Sequence, residues 1–432
     1  MTLRESARSI FDAALAAGDV RPLVVRALAG VAPPERGRVV VVGAGKASGA
    51  MAAAVEQHWG DRITTGVVAV KDGYLAPTRR VRLVEAGHPV PDERGARAAG
   101  EIRSLVESAG VDDLVLVLAS GGGSALTPAP PPPITLADKQ AVTRLLLAAG
   151  ATINQLNAVR KHCSLLKGGQ LARAAAPARV EALLLSDVVG DPLDVIASGP
   201  TTPDVSTFAE CLQILDAFAL RERAPRAVVE RLARGARGQI PETPKPGDSI
   251  FARVRNTIIG NNALVVDAAA SRARELGLAP HVLTRALEGE AREAALRFAD
   301  LARLIQSGRG PVRAPACVIA GGETTVTVAG HGTGGRCQEF ALAAALAMEG
   351  LRNAVILAAG TDGSDGPTEA AGAVSDGASA GRARAQDLDP AARLADNDSN
   401  PVLDRLGDLV VTGPTNTNLL DLYLLVVGPA GG

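Results

Sequence analysis

One pattern recurs along this chain and limits what it can fold into. It is a short run of β-branched residues, a glycine-rich turn, then an alanine-rich helical stretch. Val39–Val42 leads into Gly43-Ala44-Gly45-Lys46 and the helical segment Ser48–Gln57. Val67–Val70 reads as a second strand. Leu114–Ala119 precedes Ser120-Gly-Gly-Gly-Ser124, and Leu183–Ser186 precedes Asp187-Val-Val-Gly-Asp191. Strands alternating with helices predict βαβ units and mostly parallel sheets. Their near-continuous apolar runs fit strands covered on both faces. The pattern restarts at Thr257–Gly260 and continues through Cys317–Ala320, Thr324–Val328, Val355–Ala359, Leu409–Val411 and Tyr423–Val427. Ile240–Ser249 is proline-rich and polar, the composition of a domain boundary. The expected architecture is α/β, with a larger N-terminal domain over 1–245 and a smaller C-terminal one over 250–432. Thr127–Ile134 holds five prolines and is expected as a stiff surface loop.

Charge and targeting signals exclude several function classes. The 432 residues carry a net charge of -1, so no global field attracts nucleic acid or an anionic membrane. No apolar window approaches the length of about 18 residues that reads as a membrane span. Met1–Val20 is interrupted by Arg4, Glu5, Arg8 and Asp12 and reads as an amphipathic helix, not a signal peptide. Cys163, Cys211, Cys317 and Cys337 have no CxxC spacing and read as buried thiols. These features predict a cytoplasmic protein with no nucleic-acid or membrane partner; a homodimer stays open. Lysine is scarce and confined to Lys46, Lys71, Lys139, Lys161, Lys167 and Lys245. Where arginine is the default cation, a retained lysine marks either base composition or a place that needs a point charge.

Several loops carry candidate chemistry. Gly43-Ala-Gly45-Lys46-Ala-Ser-Gly49 follows a strand and opens a helix, where free N–H groups favour an anion. It is not a Walker A loop, because Val40 and Ala47 stand where that motif needs Gly and Ser or Thr. It resembles a dinucleotide fingerprint superficially, but the spacing is GxGxxxG and the acid expected after the next strand, Asp72, comes late. Ser120-Gly-Gly-Gly-Ser124 offers backbone donors and two hydroxyls, the makings of an anion nest or a plain turn. Asp187 and Asp191 flank a tight turn and suit Mg²⁺ binding, proton transfer or simple capping. Thr152 and Gln155 form a capping box, and Gly168-Gly169 close the segment. Within it Asn157, Arg160, Lys161 and Ser164 share a face, either solvated or a row of donors for an anion. The C-terminal half adds Gly321-Gly-Glu323-Thr-Thr, Gly330–Arg336, Gly360-Thr-Asp362-Gly-Ser-Asp365-Gly and Thr412–Asn418. Arg336 beside a helix start suits charge on phosphate. No two histidines have metal spacing, so a zinc hydrolase is disfavoured, and His88 and His162 read as structural.

Taken in order, these pieces resemble the type II glycerate kinases, with a glycerate kinase domain followed by a MOFRL domain. The most specific are Val42–Lys46, Gly87–Pro91, Ser120–Leu126, Asn157–His162 with Lys167–Gly169, Ser186–Asp191, Gly199–Thr201, Gly321–Thr324, Gly334–Arg336, Gly360–Gly366 and Thr415–Asn418. The resemblance covers nearly the whole chain; the long proline tract is its one departure. It implies two Rossmann-like domains with the site in an interdomain cleft, ATP and Mg²⁺ as cofactors, and phosphorylation of D-glycerate at the 2-hydroxyl. It implies that Lys46 and Arg336 are essential; of the two acids that follow a strand end, Asp191 is the third catalytic candidate and Asp187 the metal candidate. Ser120, Gly122, Gly123, Ser124, Asn157 and Lys161 are then expected to orient substrate. Gly43, Gly45, Glu323, Gly334, Gly335, Asp362, Thr415 and Asn416 are expected on the nucleotide. Two alternatives remain: an NAD(P)H-dependent hydroxypyruvate reductase, and a non-catalytic regulator that binds a sugar acid or nucleotide.

Overall fold

A computed structural model describes residues 1–429. It holds two six-stranded sheets, each in its own compact unit. One unit is Val20–Ile259; the other joins Met1–Asp19 to Gly260–Gly432. The N-terminal helix Leu3–Ala17 therefore belongs with the C-terminal half, where sequence proximity had placed it with the N-terminal one. Ile10, Phe11 and Ala14 bury its apolar face, and it packs on the helix Asn262–Glu275. Arg4 pins it further, pairing with Asp376 and Asp408 at 2.6 Å each. The division falls at 259/260, and the proline-rich stretch 240–249 lies inside the first unit. There Thr243 Oγ1 donates to Asp204 Oδ2 at 2.9 Å, and Asp204 N–H donates to the Pro244 carbonyl at 2.8 Å.

The first sheet comprises β1 (Val39–Ala44), β2 (Thr65–Lys71), β3 (Val81–Ala86), β4 (Leu114–Ala119), β5 (Arg179–Leu185) and β6 (Val254–Gly260). Its order is β3-β2-β1-β4-β5-β6, and the four pairings from β3 to β5 are parallel. β1 and β4 are buried along their full length, which is why they read as unbroken apolar runs. Gly43 lies opposite Leu118 of β4. A Cβ there would fall 2.0 Å from the Leu118 carbonyl oxygen. Gly43→Ala should therefore destabilise the first unit by about 3 kcal/mol, the upper range for overpacking, read as a lower urea midpoint. An unchanged midpoint would mean that the strands can part there.

The second sheet comprises β7 (Ala279–Leu287), β8 (Ala316–Gly322), β9 (Ala354–Gly360), β10 (Gly372–Asp376), β11 (Leu409–Val410) and β12 (Asp421–Val427). Its order is β11-β10-β9-β12-β8-β7. β7, β8, β9 and β11 share one direction. β10 and β12 run against them, and β12 inserts between β8 and β9, so most ladders here are antiparallel. The apolar runs gave no hint of this, because a strand buried on both faces looks the same in either direction. Thr324–Val328, expected as a strand, makes only an isolated bridge at Thr325. Three of the chain's few aromatic residues stack in this core: Phe298 and Phe340 lie 5.2 Å apart, Phe340 and Tyr423 4.8 Å.

Candidate functional site

In the first unit the chemistry-bearing loops leave from one edge of the sheet. β1, β4 and β5 are parallel, so Lys46, Ser120–Ser124 and Asp187–Asp191 all follow C-terminal strand ends. The strand order reverses between β1 and β4, where open α/β sheets form their binding crevice.

The β1 and β4 loops are built against each other. Gly45 has φ +150°, and a Cβ there would fall 2.0 Å from Ser120 Oγ. Lys46 N–H donates to the Gly121 carbonyl at 2.8 Å, and Ala47 N–H to Ser120 Oγ at 3.0 Å. Fully buried Ser120 thus struts the Lys46 turn. Gly122, at φ +84°, lies against two side chains: a Cβ there would come within 3.1 Å of His88 Nε2 and 3.6 Å of Lys46 Cγ. His88 therefore belongs to this cluster. Gly123 approaches the Ala44 carbonyl, which a Cβ would meet at 2.7 Å.

A hydroxyl chain continues outward. Ser124 Oγ lies 2.9 Å from Ser198 Oγ, which donates to Asn157 Oδ1 at 3.2 Å. Ser198 and its neighbour Ala197 have φ +62° and +50°, left-handed values that cost a non-glycine residue about 1 kcal/mol each. Asp191 shares the feature at +55°. Such strain collects at ligand sites, and nothing in the residue types announces it here.

Asn157 and Lys161 sit on the helix Ile153–His162, which begins with the expected capping box but ends before Gly168. Their face is buried, not solvated. Lys161 is spent internally, pairing with Asp194 at 3.1 Å and with buried Asp204 at 3.3 Å. It braces the 194–204 segment. Asp187 and Asp191 are half-buried at the end of β5. Among the described residues, no group of three or more His, Cys, Asp or Glu is arranged to hold a metal ion.

The second unit gathers its polar groups at the C-terminal ends of β8 and β9 and the start of β12. Arg336 opens the helix Arg336–Ala347 and grips Asp421 with two N–H groups, Nε to Oδ2 at 2.5 Å and Nη2 to Oδ1 at 2.9 Å. A third contact reaches exposed Glu323 at 2.8 Å. Burial works against the guanidinium's charge, but the bonds and charge of Asp421 outweigh it and raise its pKa. Asp421 in turn accepts from the Tyr423 hydroxyl at 3.0 Å. An acid opening the otherwise apolar run Asp421–Val427 was the available sequence signal for this anchor.

The helix N-terminus beside Arg336 is already filled. Asp365 accepts from Cys337 N–H at 3.1 Å and from Gln338 N–H at 2.8 Å. Gly335 leaves room for it, since a Cβ there would meet the Asp365 carboxyl at 2.3 Å. Gly334 is packed as tightly, since a Cβ there would fall 2.2 Å from Ser399 Oγ. The preceding loop is held by protein groups too. Ala329 and Gly330 donate to Asn397 Oδ1 at 2.9 Å, and Thr333 donates to Asp398 Oδ1 at 2.9 Å. Asp362 and Thr415 belong to two loops pressed together: Thr415 Oγ1 donates to the Thr361 carbonyl at 2.6 Å. Asn416 is exposed, at φ +57°.

Burial, and then the nearby Asp421 charge, lift the Asp365 carboxyl from 3.8 to about 6 despite its helix-end bonds. The folded state thus holds this proton more tightly than the unfolded chain. The associated stability is full below pH 3.8 and is lost as pH rises through about 6. Melting temperatures of the wild type should therefore fall relative to Asp365→Asn between about pH 4 and 7. A flat or rising difference would contradict this.

Comparison with known proteins places these features. Residues 6–233 match a domain of unknown function, DUF4147, and residues 316–421 match the MOFRL family. The chain is 42% identical over 390 residues to a D-glycerate 2-kinase of Thermotoga maritima, covering 90% of each chain. It is 44% identical over 432 residues to a protein of Agrobacterium vitis provisionally named a hydroxypyruvate reductase, covering 99% of this chain and 95% of that one. The crystal structure of a Thermotoga maritima glycerate kinase superposes with a TM-score of 0.89 at 40% identity, covering 98% of this chain and 99% of the other.

Proposed function

Since the chain belongs to the type II glycerate kinase family, we propose that it transfers the terminal phosphoryl group of ATP to the 2-hydroxyl of D-glycerate, giving 2-phosphoglycerate and ADP. One observation decides between this and a reductase. At the turn after β1 the Gly45, Lys46, Ala47 and Ser48 N–H groups all donate to protein acceptors. A dinucleotide needs such N–H groups for its pyrophosphate.

Phosphoryl transfer asks a protein mainly for positioning and charge neutralisation. We assign the glycerate side to the first unit. Lys46 neutralises the transferred group, the Ser124–Ser198–Asn157 chain orients the acid's hydroxyls, and Asp191 takes the proton from the attacking hydroxyl. Gly43, Gly45, Gly122 and Gly123 serve by letting the loops meet. ATP falls to the second unit, with Arg336 on phosphate and Glu323, Asp362, Thr415 and Asn416 around it. Arg336 keeps its two-point grip on Asp421 and exchanges exposed Glu323 for phosphate. That exchange is cheap, since exposed ion pairs are worth about 0–1 kcal/mol.

Mg²⁺ is usually held by one or two carboxylates together with substrate phosphates, not by an all-protein cage. A single half-buried acid such as Asp187 fits that need, and the ion would supply further neutralisation of phosphate charge. We place the reaction in the cytoplasm. Phosphorus and proton NMR of the product tests the regiochemistry: 2-phosphoglycerate is expected, and 3-phosphoglycerate would overturn the choice of hydroxyl.

A further inference from the structure

Lys167 lies beneath the loops that end β1 and β4, Lys139 and Arg160 lie near enough to repel it, and none of the three has an acid beside it. Lys167 is 1% exposed and donates to the Thr127 carbonyl at 3.1 Å. Lys139 is 4% exposed and donates to the Cys163 carbonyl at 3.2 Å. Arg160 is half-buried, one turn along the helix from Asn157. The ion pairs of the described residues include none of the three, whereas neighbouring Lys161 takes two carboxylates. Burial, then repulsion from Lys139 and Arg160, pushes the Lys167 ammonium well below the ordinary range. Lys139 falls to about 8, again chiefly through burial.

A buried cation without a counter-charge is costly, and an apolar side chain of similar volume is commonly neutral or more stable in its place. These residues therefore act against the stability of the fold, as groups kept for function often do. Their position indicates which function. Lys167 lines a cavity of about 30 Å³ with Gly43, Ala44, Gly123, Thr127 and Ala197, the underside of the Lys46 and Ser124 loops. The next two residues, Gly168 and Gly169, donate to the carbonyls of Ser198 and Gly199 at 3.0 and 2.8 Å. The Lys167–Gly169 segment thus lies under the loops assigned to glycerate, with Lys139 and Arg160 behind it. Its cavity has room for about one water, so the acid itself does not enter it.

We propose that Arg160 contacts the carboxylate of the three-carbon acid and that Lys139 and Lys167 are positioning residues, holding that anion through the field of an unpaired cationic floor. The proposal rests on the glycerate kinase assignment. Its chemistry is that of an incoming anion supplying the charge that the protein withholds, which selects hydroxy acids over neutral polyols.

The test is steady-state kinetics and melting of Lys167→Met and Arg160→Met. Lys167→Met should raise KM for D-glycerate by about threefold or more, the effect of removing a nearby charge that does not touch the acid, with KM for ATP within about twofold. It should also melt no lower than the wild type, a result that a purely structural lysine would not give. Arg160→Met should raise the same KM and carries the test if Lys167→Met fails to fold. An unchanged KM for D-glycerate, or a shift in KM for ATP instead, would overturn the proposal. Failure of the underlying assignment looks different: the wild type would then release no ADP with D-glycerate, and this inference would fall with it.

Discussion

Lys46→Ala is expected to lower kcat by at least about 10²-fold with the fold intact, the usual cost of one lost preorganised charge. The shape of the turn comes from the Gly43, Gly45 and Ser120 contacts and from the backbone bond to Gly121. The electrostatics at this position also point to an anion. The helix Ser48–Trp59 starts on Ala47 with no side-chain cap, so its N–H groups present positive potential. A lysine beside that end is unfavourable until a negative group sits between them. Lys46→Arg keeps the charge but brings a planar fork to a glycine-lined turn, and should restore only part of the rate. Near-normal turnover of a folded Lys46→Ala protein would remove this residue from the mechanism.

Arg336→Ala should reduce kcat by a comparable factor of about 10²-fold or more, but it carries a second effect. Asp421 is 1% exposed and would be left as a buried carboxylate without its cation. Breaking such a pair costs about 3–5 kcal/mol, so the single variant should melt well below the wild type. The two effects separate in Arg336→Ala/Asp421→Asn, where the buried charge is gone. That double variant should recover most of the melting temperature and none of the rate. Recovery of the rate as well would show that Arg336 acts only by holding the fold.

Much of this was legible in the sequence because it depends on local patterns. The strands β1, β4 and β5 announced themselves as β-branched or leucine-rich runs, and their loops as glycine clusters. The Thr152 capping box was readable because its two side chains are three residues apart. What could not be read depends on partners distant in sequence. The grouping of the first helix with the C-terminal half rests on Arg4 meeting Asp376 and Asp408. The reversal of β12 leaves no mark in an apolar run. Ser120 and Lys161 belong to polar motifs, yet both are spent inside the protein, on Ala47 and on Asp194 with Asp204. Gly334 and Gly335 look like a ligand loop and prove to be sites of close packing against Ser399 and Asp365. Ser198 and His88 entered the cluster only through geometry. The scarcity of lysine singled out Lys46; that Lys139 and Lys167 are buried with no acid beside them could be read only from the structure.

The most direct test is one assay on the purified chain, measuring ADP release with ATP, Mg²⁺ and D-glycerate beside nicotinamide oxidation with NADH or NADPH and hydroxypyruvate. A kinase releases ADP in step with phosphoglycerate and leaves the nicotinamide absorbance flat, as expected here. Oxidation of the nicotinamide by hydroxypyruvate with no glycerate-dependent ADP would contradict the account at its centre.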